Sequence, residues 1–553
     1  MTTTGETGYD QLVDELITDL DDLEFTNRWT RALPADPSSE LRPRQVSGAA
    51  YSRVEPTPVS APRTLAWSPE VFDLLGLDPS VAETDDFAQV FSGNRVPAGA
   101  DPHAQAYGGH QFGNWAGQLG DGRAISLGEV RDPHGGYQTL QLKGAGPTPY
   151  SRGADGRAVL RSSLREYLCS EAMFHLGIPT TRALSLVATG DEVIRDVLYD
   201  GNPAPEPGAV VCRVSPSFTR LGTFELPASR GELSLLRRLV DTTLELDFPH
   251  IAERGDLSFE EKVLAWFGEV ADRTADVVVD WMRVGFVHGV LNTDNLSVLG
   301  LTIDYGPYGW LESFDPGWTP NTTDAGMRRY RYGAQPQVAQ WNLMQFAQAL
   351  LPLTQDPEPF QERLNHFAER YHQRYLSMMT ERLGWGEVAH DPAADVALVE
   401  SLFGVLTSAE IDQVIFFRDL ARVPVGAPDE VSDDELLAPL DNAWYDPAAI
   451  TGDVRSGLVG WLRQWADRVV AGGLDDGERR RRMDALNPRF VLRNYLAQEA
   501  IDAAEAGDLA LLHELHDTLR RPYDEQPGRE RFAQRRPEWA RTKVGCSMLS
   551  CSS

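Results

Sequence analysis

Polar and apolar positions alternate in RAISLGEVRD and YQTLQLKG, which predicts two strands joined as a hairpin by the Pro-His-Gly-Gly turn between them. After a loop rich in Gly and Arg, SSLREYLCSEAMFHLG has helical spacing. Ser162 or Ser163 is placed to cap its start, Gly177 to close it and Pro179 to prevent continuation. RALSLVATG, VIRDVLYDG and AVVCRVSPS read as further strands. Beyond about residue 230 the pattern turns helical. SFEEKVLAWFGEVADRTADVVVDWMRVG is a long amphipathic helix with Ser258 as cap and Glu260 and Glu261 in its first turn. Further helices are expected near 337–352, 359–384, 394–421 and 486–504.

Texture divides the chain into four regions. Residues 1–95, rich in Pro and Asp, form an N-terminal extension packed on a larger body. Residues 96–230 form a β-rich lobe that opens on the crowded glycines and aromatics of AYGGHQFGNWAGQLGDGR. Residues 231–422 form a helical lobe, and a Pro/Asp-rich break introduces the helical C-terminal region 423–553 with its cysteine-containing tail. Glycine-rich turn, hairpin, helix, then strands, with helices following, is the order of a protein-kinase-like bilobal α+β fold.

Charge narrows the partners. Lys plus Arg is 51 against 82 Asp plus Glu, a net charge of −31, which repels nucleic acid and anionic membranes. No apolar run is long enough to span a bilayer. The segment YDQLVDELITDLDDLE is too acidic for an export signal, and four cysteines argue for a reducing compartment. The expectation is a cytoplasmic monomer.

Several residues can carry nucleotide chemistry. Gly120 and Gly122 in GQLGDGR allow backbone N–H groups to approach phosphates, and Arg123 adds a charge. Lys143 ends the strand TLQLK and can reach phosphates, with Glu166 on the next helix as its partner. Asp155 and Gly156 lie in a locally basic loop, and Arg213 and Arg220 flank Pro216. In the segment 288–306, His288-Gly289-Val290 stands where a kinase has His-Arg-Asp. Asn295 and Asp304-Tyr305-Gly306 keep the two oxygen ligands for magnesium. Valine at 290 accepts no proton, whereas Asp294 offers a carboxylate from a new position. No zinc-ligand spacing, Walker sequence or nucleophile elbow is present.

YGGHQFGNWAGQLGDGR, LQLKGAGPTPYSRGADGRAVLRSSLREYL, the HG…NTDN…DYG segment, NPRFVLRNYL and RPEWA together resemble the selenoprotein O family from about Tyr107 to the C-terminus. The resemblance implies a pseudokinase fold that binds ATP in a flipped orientation and transfers AMP to Ser, Thr or Tyr of protein substrates. It implies that Gly120, Gly122, Arg123, Lys143, Asp155, Gly156, Arg213 and Arg220 hold the nucleotide and that Glu166 orients Lys143. Asp294 is then the proton acceptor, and Asn295 and Asp304 bind Mg2+ or Mn2+. Two other functions compete: an atypical kinase that moves the γ-phosphate, and an inactive nucleotide-binding scaffold. In the resembled family a tail cysteine bonds to the activation-loop region. Here 304–340 holds no cysteine, so a labile Cys546–Cys551 bridge in an exposed tail is expected, with Cys169 and Cys212 inert in the core.

Overall fold

The computed structural model describes residues 16–196, 201–386, 391–426, 431–546 and 548–550. Nine strands precede the helical body: β1 (Tyr51–Arg53), β2 (Arg63–Trp67), β3 (His103–Gln105), β4 (Gly108–Gln111), β5 (Asn114–Gln118), β6 (Ala124–Arg131), β7 (Tyr137–Lys143), β8 (Arg182–Arg195) and β9 (Ala204–Ser215). Seven form one sheet in the order β1-β3-β6-β7-β9-β8-β2, every pairing antiparallel, and β4 and β5 form a separate hairpin. The fold is thus mixed, a mostly antiparallel sheet with many helices.

Residues 51–67 supply both edge strands of this sheet, so the N-terminal segment is woven into it rather than laid on it. Its helices Pro69–Leu75 and Asp85–Ser92 bury Val71, Phe72, Phe87 and Phe91 against Ile125, Leu127, Leu140 and Leu142. The two predicted strands after residue 182 are one strand, β8, whose pairing with β9 shifts register between Ala188 and Glu192. The last residues of VIRDVLYDG, 197–200, lie outside the described residues.

Against the opposite face packs the helix Leu160–His175. It starts earlier than its serines suggest. Val159 is the cap residue, and Ser162 Oγ instead donates to Val159 O at 3.1 Å. Gly177 closes it as expected, with φ +75°. The long helix Phe259–Val284 begins in a capping box formed by Ser258 and Glu261 and is flanked by the helices Gln335–Thr354 and Glu358–Arg382. The predicted helix 394–421 is two helices, Pro392–Thr407 and Gln413–Leu420, because Asp412 caps the second. Asn487–Arg493 is extended, and the helix there runs only over Asn494–Glu505. Among the described residues no helix is long and apolar enough to cross a membrane.

Candidate active site

Register builds the upper half of the site. Residues two apart on a strand share a face, so Gln141 and Lys143 point the same way, and Gln141 is paired with Arg213 across β7 and β9. Arg213 donates to Gln141 Oε1, and Gln141 Nε2 reaches Ser126 Oγ at 3.1 Å and Asp121 Oδ2 at 3.3 Å. The neighbouring positions Leu140, Leu142 and Cys212 face the apolar layer. Lys143 Nζ meets Glu166 Oε2 at 2.5 Å, and Arg213 meets the other carboxylate oxygen at 3.3 Å.

The lower half hangs on the segment between Phe286 and Trp310, whose ends pair as a short hairpin, Phe286 with Trp310 and Val287 with Gly309. Leu221 N donates to Leu296 O at 3.0 Å and Val298 N to Thr219 O at 3.2 Å, which draws Arg220 alongside. Arg220 donates to Asp294 O at 2.8 Å and to Asp304 Oδ2, while Arg213 takes Asp304 Oδ1 at 2.6 Å. Asp304 therefore holds both halves together. It sits at φ +57°, a left-handed conformation that Asp tolerates better than most residues and that marks a constrained position. Asn295 Nδ2 donates to Val290 O at 2.8 Å, tying the valine that replaces the kinase aspartate to the expected metal ligand.

Asp294 is 6% exposed. One of its oxygens accepts from Gln111 Nε2 at 3.2 Å; the other, Oδ1, is buried without a partner. Burial pushes this carboxyl up to about 6, with Gln111 and Arg220 pulling it back down. Burial likewise pulls the Lys143 ammonium down to about 7 against the pull of Glu166. For Glu166 burial works against ionisation, but Lys143 and Arg213 hold its carboxyl below the usual range. His288 is structural. Burial pushes it down to about 4, and its Nε2 donates to Ile303 O at 3.0 Å.

A family model described as "Protein adenylyltransferase SelO" matches residues 39–520. The chain belongs to that family. It is 58% identical over 531 residues to the "Protein nucleotidyltransferase YdiU" of Azoarcus sp. (strain BH72), covering 96% of this chain and 99% of the relative. A protein of the same name from Rhodopirellula baltica is 55% identical over 539 residues, again covering 96% and 99%.

In this SelO-family chain the remaining expected residues lie in the turn before β6 and the loop after β7. Gly120, at φ +84°, leaves no room for a side chain: a Cβ there would sit 2.5 Å from the Tyr150 ring. Gly122 O accepts from Ser151 Oγ, and Arg123 lies close enough for its charge to act on Lys143 and Glu166. Asp155 is instead paired with Arg195 at 2.8 Å, and Gly156 O accepts from Gly146 N at 3.1 Å. Arg493 is paired with Asp412 at 2.7 Å in the core.

Sequence reasoning passed over four residues of this SelO-family site. Asp121, inside the GDGR motif, takes Gln105 N at 3.0 Å and faces Arg220 at 3.7 Å. Gln141 and Gln111 hold Arg213 and Asp294, and Glu225 accepts from Thr293 Oγ1 at 2.7 Å beside them. The alternation of TLQLK was the available signal for Gln141. The sequence shows no zinc-ligand spacing, yet Glu70, Glu171 and His175 bring ligand atoms within 4.8 Å of one another. There Glu171 is already taken by Arg182 at 2.6 Å and by Ser68 at 2.6 Å.

Proposed function

We propose that this adenylyltransferase moves AMP from ATP onto Ser, Thr or Tyr hydroxyls of proteins, with Asp294 as the proton acceptor. The observation that carries the reading is the Asp294 carboxylate: buried, raised to about 6 and with Oδ1 unpartnered, on a residue whose main-chain carbonyl accepts from the same Arg220 that binds Asp304. The acceptor oxygen attacks the α-phosphorus, the bond to pyrophosphate breaks, and the hydroxyl proton passes to Asp294. Lys143, Arg123, Arg213 and Arg220 supply the positive charge that binds the phosphates, Glu166 orients Lys143, and Gly120, Gly122, Asp155 and Gly156 shape the loops around them.

The donor set fits a hard divalent cation, Mg2+ or Mn2+, since Asn295 and Asp304 offer oxygen and lie on one short segment. Such an ion would neutralise charge developing on the phosphates. Both Asp304 oxygens accept from arginines in this structure, so a cation held by Asp304 would compete with Arg213 and Arg220 for its charge and would leave them more available to phosphate.

The same reading takes the fold as kinase-like and bilobal, with lobes at 96–230 and 231–422 between the N-terminal extension, residues 1–95, and the C-terminal region 423–553. On the chain's acidity, it takes the enzyme as a cytoplasmic monomer that acts on proteins and binds neither nucleic acid nor membrane. The test is incubation of a protein acceptor with ATP labelled at the α- or the γ-phosphorus. The α-label is expected on protein. Transfer of the γ-label instead would establish a kinase, and transfer of neither, with ATP still bound, a scaffold.

A further inference from the structure

The β4–β5 hairpin joins the expected base to a basic patch. Gln111 reaches Asp294, and the next residue, Phe112, donates its N–H to Tyr330 Oη at 2.8 Å and to Asn292 Oδ1 at 3.3 Å. Tyr330 lies in the run Met327-Arg328-Arg329-Tyr330-Arg331, a dense positive charge on a chain of net −31. Arg329 is wedged between the hairpin tip and the helix Gln335–Thr354. A Cβ on Gly113 would meet its Nη1 at 3.3 Å, and its guanidinium carbon lies 4.5 Å above the Trp341 ring. The His110 ring is 5.5 Å from Trp341 and 5.2 Å from Trp115.

Two features of this patch lack an internal explanation. Arg329 Nε and Nη2 are buried with no hydrogen-bond partner, a costly arrangement for a cation. A neighbouring carboxylate, Asp324, spends its oxygens on the backbone N–H groups of Arg329 at 2.9 Å and Tyr330 at 2.7 Å. Beside it, Trp115 is 40% exposed and Met327 79% exposed. A guanidinium with two unpartnered donors, backed by an aromatic ring and joined through the hairpin tip to the segment that holds Asp294, matches a planar anion presented by an extended segment.

We propose that Arg329 is a specificity residue for the acceptor protein, receiving an Asp or Glu side chain that lies close in sequence to the hydroxyl to be modified. Trp115 and Met327 cover the apolar part of the same segment. This rests on the acceptor reaching Asp294, as in the proposed function. It makes the preferred acceptors hydroxyl residues in acidic surroundings, recognised locally by an enzyme whose overall charge repels acidic proteins.

The test uses peptides with one hydroxyl residue, Ser, Thr or Tyr, flanked by Glu, Gln or Lys, each carrying a dye. Fluorescence polarisation against the ATP-loaded full chain reads docking without chemistry, and α-labelled ATP reads transfer. The Glu-flanked peptides are expected to bind about tenfold more tightly than the Lys-flanked ones, the size of one charge-assisted hydrogen bond. Added salt should erode the difference. Arg329→Gln should bring the three versions within about twofold, leaving ATP affinity unchanged. Arg329→Lys, which keeps the charge and the fold, should retain part of the preference. Equal binding of all versions by the parent chain, or an undiminished Glu preference in Arg329→Gln, overturns the proposal. A Glu preference in binding accompanied by γ-label on the peptides would sink the AMP-transfer reading and leave this docking role standing.

Discussion

Gly109 and Asp294 are in such close contact that a methyl group on Gly109 would lie 2.5 Å from Asp294 Oδ1 and 2.9 Å from its Cβ. The hairpin strand β4 is thus a wall against Asp294, the proposed proton acceptor. Gly109→Ala must displace either the carboxylate or the strand. Because misplacing a reacting group by about an ångström costs on the order of 10²-fold, kcat should fall by about that factor. Binding of ATP, measured calorimetrically, should stay within about threefold. Normal turnover would show that the β4 wall does not set the base.

As the proposed proton acceptor, Asp294 must be ionised to act. With its carboxyl raised to about 6, log kcat should climb with unit slope below pH 6 and level off above it. Gln111 stabilises the charged form, so Gln111→Leu should raise the group further and move this limb to higher pH. Asp294→Asn should lower kcat by about 10²–10⁴ while sparing ATP affinity. A profile whose acid limb does not move in Gln111→Leu assigns the ionisation to another group.

Asp304 occupies Arg213 and Arg220, the two arginines proposed to bind phosphate. Asp304→Asn should abolish AMP transfer and metal-dependent ATP binding. In excess chelator, however, it should bind ATP at least as tightly as the parent, because the negative charge that holds both arginines is gone. Calorimetry with and without chelator separates the terms. Weaker metal-free binding by the variant would mean that the carboxylate organises the arginines rather than occupying them.

What could be read from the sequence followed the reach of each signal. Lys143, Glu166, Asn295 and Asp304 stand out by their order along the chain; ion pairs through Arg213 join Lys143, Glu166 and Asp304, while the Asn295 side chain is bonded to Val290 O. The hairpin β6–β7 followed from alternation. The contacts that build the site are far apart, with Arg213 and Asp304 separated by 91 residues, and no local pattern reports such pairing. β1 and β2, of three and five residues, are too short to show a period and are strands only because Tyr51 pairs with Gln105 and Trp67 with Ser185. Asp412 lies inside the span read as one helix, but its carboxylate accepts from Ile415 N at 3.1 Å and starts a second helix. Cys546 read as exposed by its place near the end, yet it is 4% exposed. Its expected partner Cys551 lies outside the described residues.

That burial changes the expectation for the tail. Burial pushes the Cys546 thiol up to about 12, so it holds little thiolate at neutral pH and should be slow to alkylate. The tail is also attached beside the catalytic segment. Leu549 N donates to Pro320 O at 3.0 Å, Thr322 N to Leu549 O at 2.8 Å, and Asn321 Nδ2 to Gly289 O at 3.0 Å. Asn321 thus couples the docked tail to the backbone just before Asn292, whose side chain anchors the hairpin that fixes Asp294. Asn321→Ala leaves the Gly289 carbonyl buried without this donor, which costs about 1–3 kcal/mol of stability. It should also lower kcat more than it changes ATP affinity, since the base is nearer than the phosphates. Thermal unfolding and steady-state kinetics read the two effects, and thiol mapping of the native protein should find Cys546 unmodified until the tail is released. Rapid alkylation of Cys546 in the native parent, or a stability loss in Asn321→Ala with unchanged kcat, would show that the tail packs on this loop without positioning the chemistry.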